Sequence, residues 1–151
     1  MADFSQAVQL VIQREGGLVV DPNDPGGATK YGISKRAYPD LDIPALTQSQ
    51  AAQIYHRDYW RWDLLQDQAL ANKLLDMAVN FGLSTLAGMV QRMNGLPVDN
   101  IWGPATENSL LNAPDVLPRL RVASVERYLA MIEANPQLTK FRTGWLVRAC
   151  S

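Results

Sequence analysis

The chain has 151 residues, of which 47% are apolar and 19% charged, with a formal net charge of −1. That is enough length and apolar content for a cored domain, so general disorder is excluded. The near-neutral balance excludes a dominant electrostatic grip on nucleic acid, which needs a strong basic excess. No apolar run approaches the roughly 18 residues that a membrane-spanning helix needs.

Met1-Ala2-Asp3-Phe4 places an acid where a secretory leader has a basic stretch, so a signal peptide is not expected. Cys150 is the only cysteine and His56 the only histidine. An internal disulfide, a cysteine-rich metal site and a two-histidine zinc site are therefore not expected, and no metal or cofactor is assigned.

Phe4, Val8, Val11 and Ile12 follow one helical face, Asp3 with Gln6 resembles a capping box, and Gly16-Gly17 is a natural stop, so a first helix is predicted over 4–15. Residues 18–33 read differently. Leu18-Val19-Val20 and Tyr31-Gly32-Ile33 are short β-like pieces around a segment dense in turn formers, predicting a small irregular hairpin or ordered loop. Thr47 and Gln50 form a second capping-box pattern, opening a helix that runs to about Trp60. Leu70 to Phe81 marks a helix that Gly82 ends, and Leu86, Val90 and Met93 mark another, ended by Gly95. Pro104 suits a first helical position after a turn-rich stretch. A long helix runs from Val116 to Asn135-Pro136 with Pro118 in its first turn, and Leu138, Phe141, Trp145 and Leu146 predict a last helix. The whole reads as one all-α domain with a β-like hairpin after helix one.

Glu15 is the most informative residue. Its spacing from Val8, Val11 and Ile12 puts it on the apolar face of helix one, in the last turn, beside the negative end of the helix dipole. Partial burial and the dipole both disfavour a charged carboxylate, which suits a general acid. The bland alternative is a helix cap or a pair with Arg14 or Lys30. Asp24 follows nine positions later and Thr29 five after that. A tight loop can return both towards Glu15, and two carboxylates in different environments are the apparatus of glycoside hydrolysis. Pure turn roles for Asp21, Asn23 and Asp24 compete with this reading. A calcium loop does not, because Pro25 and Gly32 stand where oxygen ligands are required. Nor does a phosphate loop, since no Gly-Lys-Ser/Thr follows Gly26-Gly27.

Glu15-Gly-Gly-Leu-Val-Val-Asp-Pro-Asn-Asp-Pro-Gly-Gly-Ala-Thr-Lys-Tyr-Gly-Ile33 closely resembles the signature of glycoside hydrolase family 108, lysozyme-like N-acetylmuramidases of bacteria, phages and prophages. Asp76-Met-Ala-Val-Asn-Phe-Gly82, Val90-Gln91, Val98-Asp99, Gly103-Pro-Ala-Thr106 and Phe141-x-x-Gly-Trp145-x-x-Arg148 resemble the peptidoglycan-binding segment that accompanies it. The resemblance implies a lysozyme-like helical globule (all-α, or α+β by the lysozyme convention), in which a glycosidase half (1–85) packs with a peptidoglycan-binding-like half (86–151). It implies hydrolysis of the β-1,4 bond between N-acetylmuramic acid and N-acetylglucosamine. Glu15 takes the family's catalytic position, and Asp24 and Thr29 are the candidates for holding water. The family usually has Tyr where this chain has Leu18, which removes a ring that would stack on sugar or pack under the acid.

Tyr31, Asn80 and Gln91 are candidate substrate-binding residues, the tyrosine as a cleft-lining ring and the others as amide donors and acceptors; core packing and helix capping are their alternatives. Tyr55, Tyr59, Trp60 and Trp62 are expected mostly in the core, as is Trp145, while Trp102 is a sugar platform or a core plug. His56 is structural, Cys150 inert, and Arg119, Arg121 and Arg127 a solvated helix face. The expected partners are peptidoglycan strands and, by the resemblance, a holin that releases a monomeric endolysin made in the cytoplasm towards the periplasm or wall. A lytic transglycosylase and a non-catalytic wall-binding module are the competing readings.

Overall fold

Helix α1 (Phe4–Glu15) begins at Asp3, whose carboxylate accepts from the Ser5 backbone N–H. The Gln6 amide reaches the same carboxylate at 3.4 Å, so Asp3 caps the helix without the reciprocal backbone bond of a capping box. Its apolar face, Val8, Val11 and Ile12, is buried. The computed structural model describes residues 1–20 and 27–151, and the expectations for Asp21, Asn23 and Asp24 lie outside the described residues. These residues form two compact units, Met1–Val79 and Asn80–Ser151.

In the first unit α1 is followed by a three-stranded antiparallel sheet, β1 (Val19–Val20), β2 (Ala28–Lys30) and β3 (Ile33–Ser34), in that order. Val19 pairs with Thr29, and Lys30 with Ile33. Only Tyr31-Gly32 separates β2 from β3. Both residues have positive φ, 53° and 79°, as a two-residue hairpin loop demands. The predicted β-like piece over 31–33 is therefore a turn entering a strand. Helix α2 (Gln48–Asp58) carries the full capping box expected from Thr47 and Gln50 and packs against α1. Its end stops short of the predicted Trp60, which folds back into the core with Trp62. Helix α3 (Gln68–Phe81) closes the first unit, its last two residues counting with the second.

Two sets of contacts hold α1 against α3. At its start, the Asp3 N–H donates to Gln68 Oε1 (2.6 Å) and Gln68 Nε2 donates to the Asp3 carbonyl (3.0 Å). At its end, Arg14 Nη1 donates to Asp76 Oδ1 at 2.9 Å. Asp76 is buried, so this charge-assisted bond is made with little competing water.

The second unit contains α4 (Leu83–Met93), α5 (Pro104–Leu111), α6 (Val116–Ala134) and α7 (Arg142–Cys150). Gly82, at φ 87°, makes the break before α4, and Pro104 stands in the first turn of α5 as expected. The predicted last helix is split: Pro136–Phe141 is a 3₁₀ helix, and only from Arg142 is the chain α-helical. Pro136 enters from the extended Asn135 and starts the tighter turn, in keeping with its fixed φ. Helix α6 packs along α7, and α4 packs on α5 and α6. The core includes Leu86, Val90, Leu110, Leu120 and Tyr128.

Candidate active site

Glu15 is the last residue of α1 and is half-buried. The helix ends because Gly16 takes φ 76° while its N–H still donates to the Ile12 carbonyl. The Gly16 carbonyl then accepts from the Tyr31 N–H at 3.0 Å. This single bond ties the end of the helix to the β2–β3 turn, so the hairpin closes back onto the carboxylate-bearing turn.

Gly32 completes that junction. A Cβ built on it would stand 2.9 Å from Glu15 Cγ and 3.2 Å from Glu15 Cβ, and would collide with the Tyr55 hydroxyl. The Glu15 arm thus lies directly against the Gly32 backbone, with Tyr55 converging from α2. The Tyr55 ring is 1% exposed, and its hydroxyl donates to the Tyr31 carbonyl at 2.7 Å. Tyr31 holds a left-handed conformation that costs a non-glycine residue on the order of 1–2 kcal/mol. The hairpin bond, the Tyr55 bond and the packing under Gly32 are what maintain it.

Thr29 sits at the centre of β2, half-buried and paired on both sides, with Val19 and with Ser34. It is two residues before Tyr31, whose N–H bonds the Gly16 carbonyl and so holds the β2–β3 turn at the Glu15 end of α1. Asp24 lies outside the described residues. Lys30, offered from sequence as a partner for Glu15, donates its ammonium to the Pro44 carbonyl (2.7 Å) and lies 5.5 Å from the Tyr31 ring centroid. Leu18, the departure from the family pattern, is 46% exposed.

Asn80 and Gln91 belong to the second unit and have partners there. Asn80 Nδ2 donates to the Tyr128 hydroxyl. Gln91 is 4% exposed. Its Nε2 donates to Asp99 Oδ1 (2.7 Å), the Ile101 carbonyl (3.1 Å) and Thr106 Oγ1 (3.0 Å), while its Oε1 accepts from the N–H groups of Asp99 and Asn100. The amide expected to meet sugar is consumed at both ends in closing the 99–101 loop. The motif pieces Val90-Gln91, Val98-Asp99 and Gly103–Thr106 meet here, so their spacing describes loop closure. The Asp99 carboxyl is held below the usual carboxylate range, first by the Ile101 N–H and then by the Gln91 amide.

The other expectations divide. Tyr55, Trp60 and Trp62 are buried, as expected. Trp145 is half-buried, stacked between Tyr128 (5.0 Å) and Phe141 (5.6 Å). His56 sets its ring edge-on to Phe4 at 4.7 Å. Arg119 is not a merely solvated side chain, because its Nη2 donates to the Met93 carbonyl at the end of α4. Sequence reasoning missed the Arg14–Asp76 pair, since 62 positions separate the two and neither breaks its helical pattern. It also left Tyr55 with the core aromatics and did not mark Gly32, although Tyr-Gly between two β-like pieces is a turn signal.

A mainly helical protein with a small antiparallel hairpin after its first helix, and a carboxylate at that junction, has a lysozyme-like fold. Among solved structures, the chain is similar to Brucella abortus SagA, with a TM-score of 0.75 and 26% identity over 97% of this chain and 88% of that one. None of the curated proteins matches it. Residues 8–82, from α1 through Gly82, match glycosyl hydrolase 108. The chain belongs to that family and is a glycoside hydrolase.

Proposed function

We propose that this protein is an N-acetylmuramidase, a peptidoglycan hydrolase that cleaves the β-1,4 bond between N-acetylmuramic acid and N-acetylglucosamine. One observation carries the reading: the Glu15 arm is held over Gly32, at the junction of α1 and the hairpin, inside the matched segment. A carboxyl-bearing arm seated against the Gly32 backbone, where the buried Tyr55 hydroxyl also converges, is positioned for proton transfer.

Glu15 donates its proton to the glycosidic oxygen as the C1–O bond breaks, and positive charge develops on the sugar. A water then adds at C1. The Asp24 carboxylate and the Thr29 hydroxyl hold that water, and the carboxylate takes up its proton. Tyr31, at the same end of α1, supplies a ring to the sugar face.

The test uses purified, outer-membrane-stripped Gram-negative walls exposed to the unsubstituted chain and to Glu15→Gln. The unsubstituted protein clears the suspension and leaves reducing muramic-acid ends in mass spectra of the fragments. Glu15→Gln is slower by about 10² or more, the usual contribution of a general acid. Anhydro ends would make the protein a lytic transglycosylase. Walls bound but not cut by either folded protein would leave only a binding module.

A further inference from the structure

The second unit carries a cleft of about 610 Å³ between α4 and α6 that the chemistry at Glu15 does not use. Its size falls among those of small-ligand sites. Met89 and Met93 from α4 and Val122 from α6 line it with apolar, adaptable surface, and Val122 is 57% exposed. Arg92, Arg119 and Arg127 also line it, against one acid, Glu126. That is a local excess of positive charge in a chain whose net charge is −1. Arg119 is already oriented by its bond to the Met93 carbonyl, and a guanidinium so held keeps other N–H groups for a ligand.

Neutral glycan is a poor match for this lining. It calls for amides, carboxylates and aromatic faces, and the cleft offers no aromatic and no side-chain amide. Three guanidinium groups, one carboxylate and a methyl-sized apolar floor fit a ligand with several carboxylates, small alkyl groups and one ammonium. We propose that the cleft binds the short acidic peptides carried by peptidoglycan strands. Their carboxylates meet Arg92, Arg119 and Arg127, their alanine methyls rest on the methionines and Val122, and the free ammonium of their diamino acid pairs with Glu126. The inference rests on the peptidoglycan reading and adds to it a contact with the non-sugar part of the polymer.

The test titrates the full chain bearing Glu15→Gln, which consumes no substrate, with L-alanyl-γ-D-glutamyl-meso-diaminopimelate, followed by NMR. Chitotetraose serves as peptide-free glycan and decanoate as a carboxylate without peptide. The expected result is tripeptide binding that weakens as salt screens the charges. Arg92→Ala with Arg127→Ala weakens it by about tenfold or more, while chitotetraose binding does not change. Both arginines are exposed, and an unchanged amide spectrum of the free variant shows that it folds. No tripeptide binding at millimolar concentration, binding indifferent to the double substitution, or decanoate bound as tightly as the tripeptide would each overturn the proposal. Glu15-dependent cleavage with no peptide binding removes the cleft alone. Peptide binding by a chain that cuts no wall removes the muramidase reading alone.

Discussion

Substituting Gly32 by alanine probes the junction that positions Glu15, and the structure sets the size of the effect. At φ 79° an alanine pays on the order of 1–2 kcal/mol for the left-handed conformation. Its Cβ would lie 2.9 Å from Glu15 Cγ and inside the contact distance of the Tyr55 hydroxyl. Tyr55 is buried on α2 and cannot swing away without losing its bond to the Tyr31 carbonyl, a further 0.5–1.5 kcal/mol, roughly. Stability should therefore fall by about 1.5–3.5 kcal/mol. Glu15, the more exposed neighbour, yields first. A carboxyl displaced by about 1 Å costs on the order of 10²-fold in rate. Urea denaturation and wall clearing, run beside Gly17→Ala, measure the two effects. Gly17 has nothing within 4 Å of its would-be Cβ, so the control isolates the loss of a glycine. A Gly32→Ala protein with the parent's urea midpoint and clearing rate would refute the account of the junction.

Three further outcomes follow from the same geometry. Tyr55→Phe removes the hydroxyl bonded to Tyr31 and should cost about 0.5–1.5 kcal/mol in urea unfolding, with a lower clearing rate at unchanged wall binding. Arg14→Met strips a charged partner from buried Asp76 and should cost about 1–3 kcal/mol; the Asp76→Asn, Arg14→Met double variant should recover part of that loss in the same assay. Asp99 has its carboxyl pKa lowered from 3.8 by the Ile101 N–H and the Gln91 amide. A depressed folded-state pKa stabilises the fold above the unfolded value and loses that effect as pH falls through the folded one, so the contribution should fade below about pH 3.8. Gln91→Leu should raise the Asp99 midpoint in an NMR titration and flatten that acid-side loss.

Much of this arrangement is written in local sequence, and the rest depends on partners far apart in the chain. The bounds of α1, the capping box at Thr47 and Gln50, the break at Gly82 and the proline opening α5 all follow from caps and breakers that act within four residues. The periodicity that places Glu15 on the inner face of α1 is equally local. The turn at Tyr31-Gly32 was harder to read, because a tyrosine at positive φ runs against its own preference and is held there by Tyr55, 24 positions away. Gln91 looked like a sugar-binding amide because its hydrogen-bonding capacity is visible in sequence, whereas the loop that consumes it is not. Arg92 and Arg119 are separated by two loops and a helix, so only the folded chain sets them around one cleft.

The attachment of α1 at both ends has a consequence for which changes the protein can absorb. Between Asp3, held by Gln68, and Arg14, held by Asp76, the helix is a gauge of fixed length laid along α3. A side chain on its outer face can be exchanged without altering that gauge. A single residue inserted or deleted between the two anchors cannot, because it turns everything beyond it by about 100° and shifts it by about 1.5 Å. Arg14 would then face away from Asp76, and Glu15 would leave the backbone of Gly32. The first helix can vary in composition while its residue count stays locked to the spacing of two polar side chains on its neighbour.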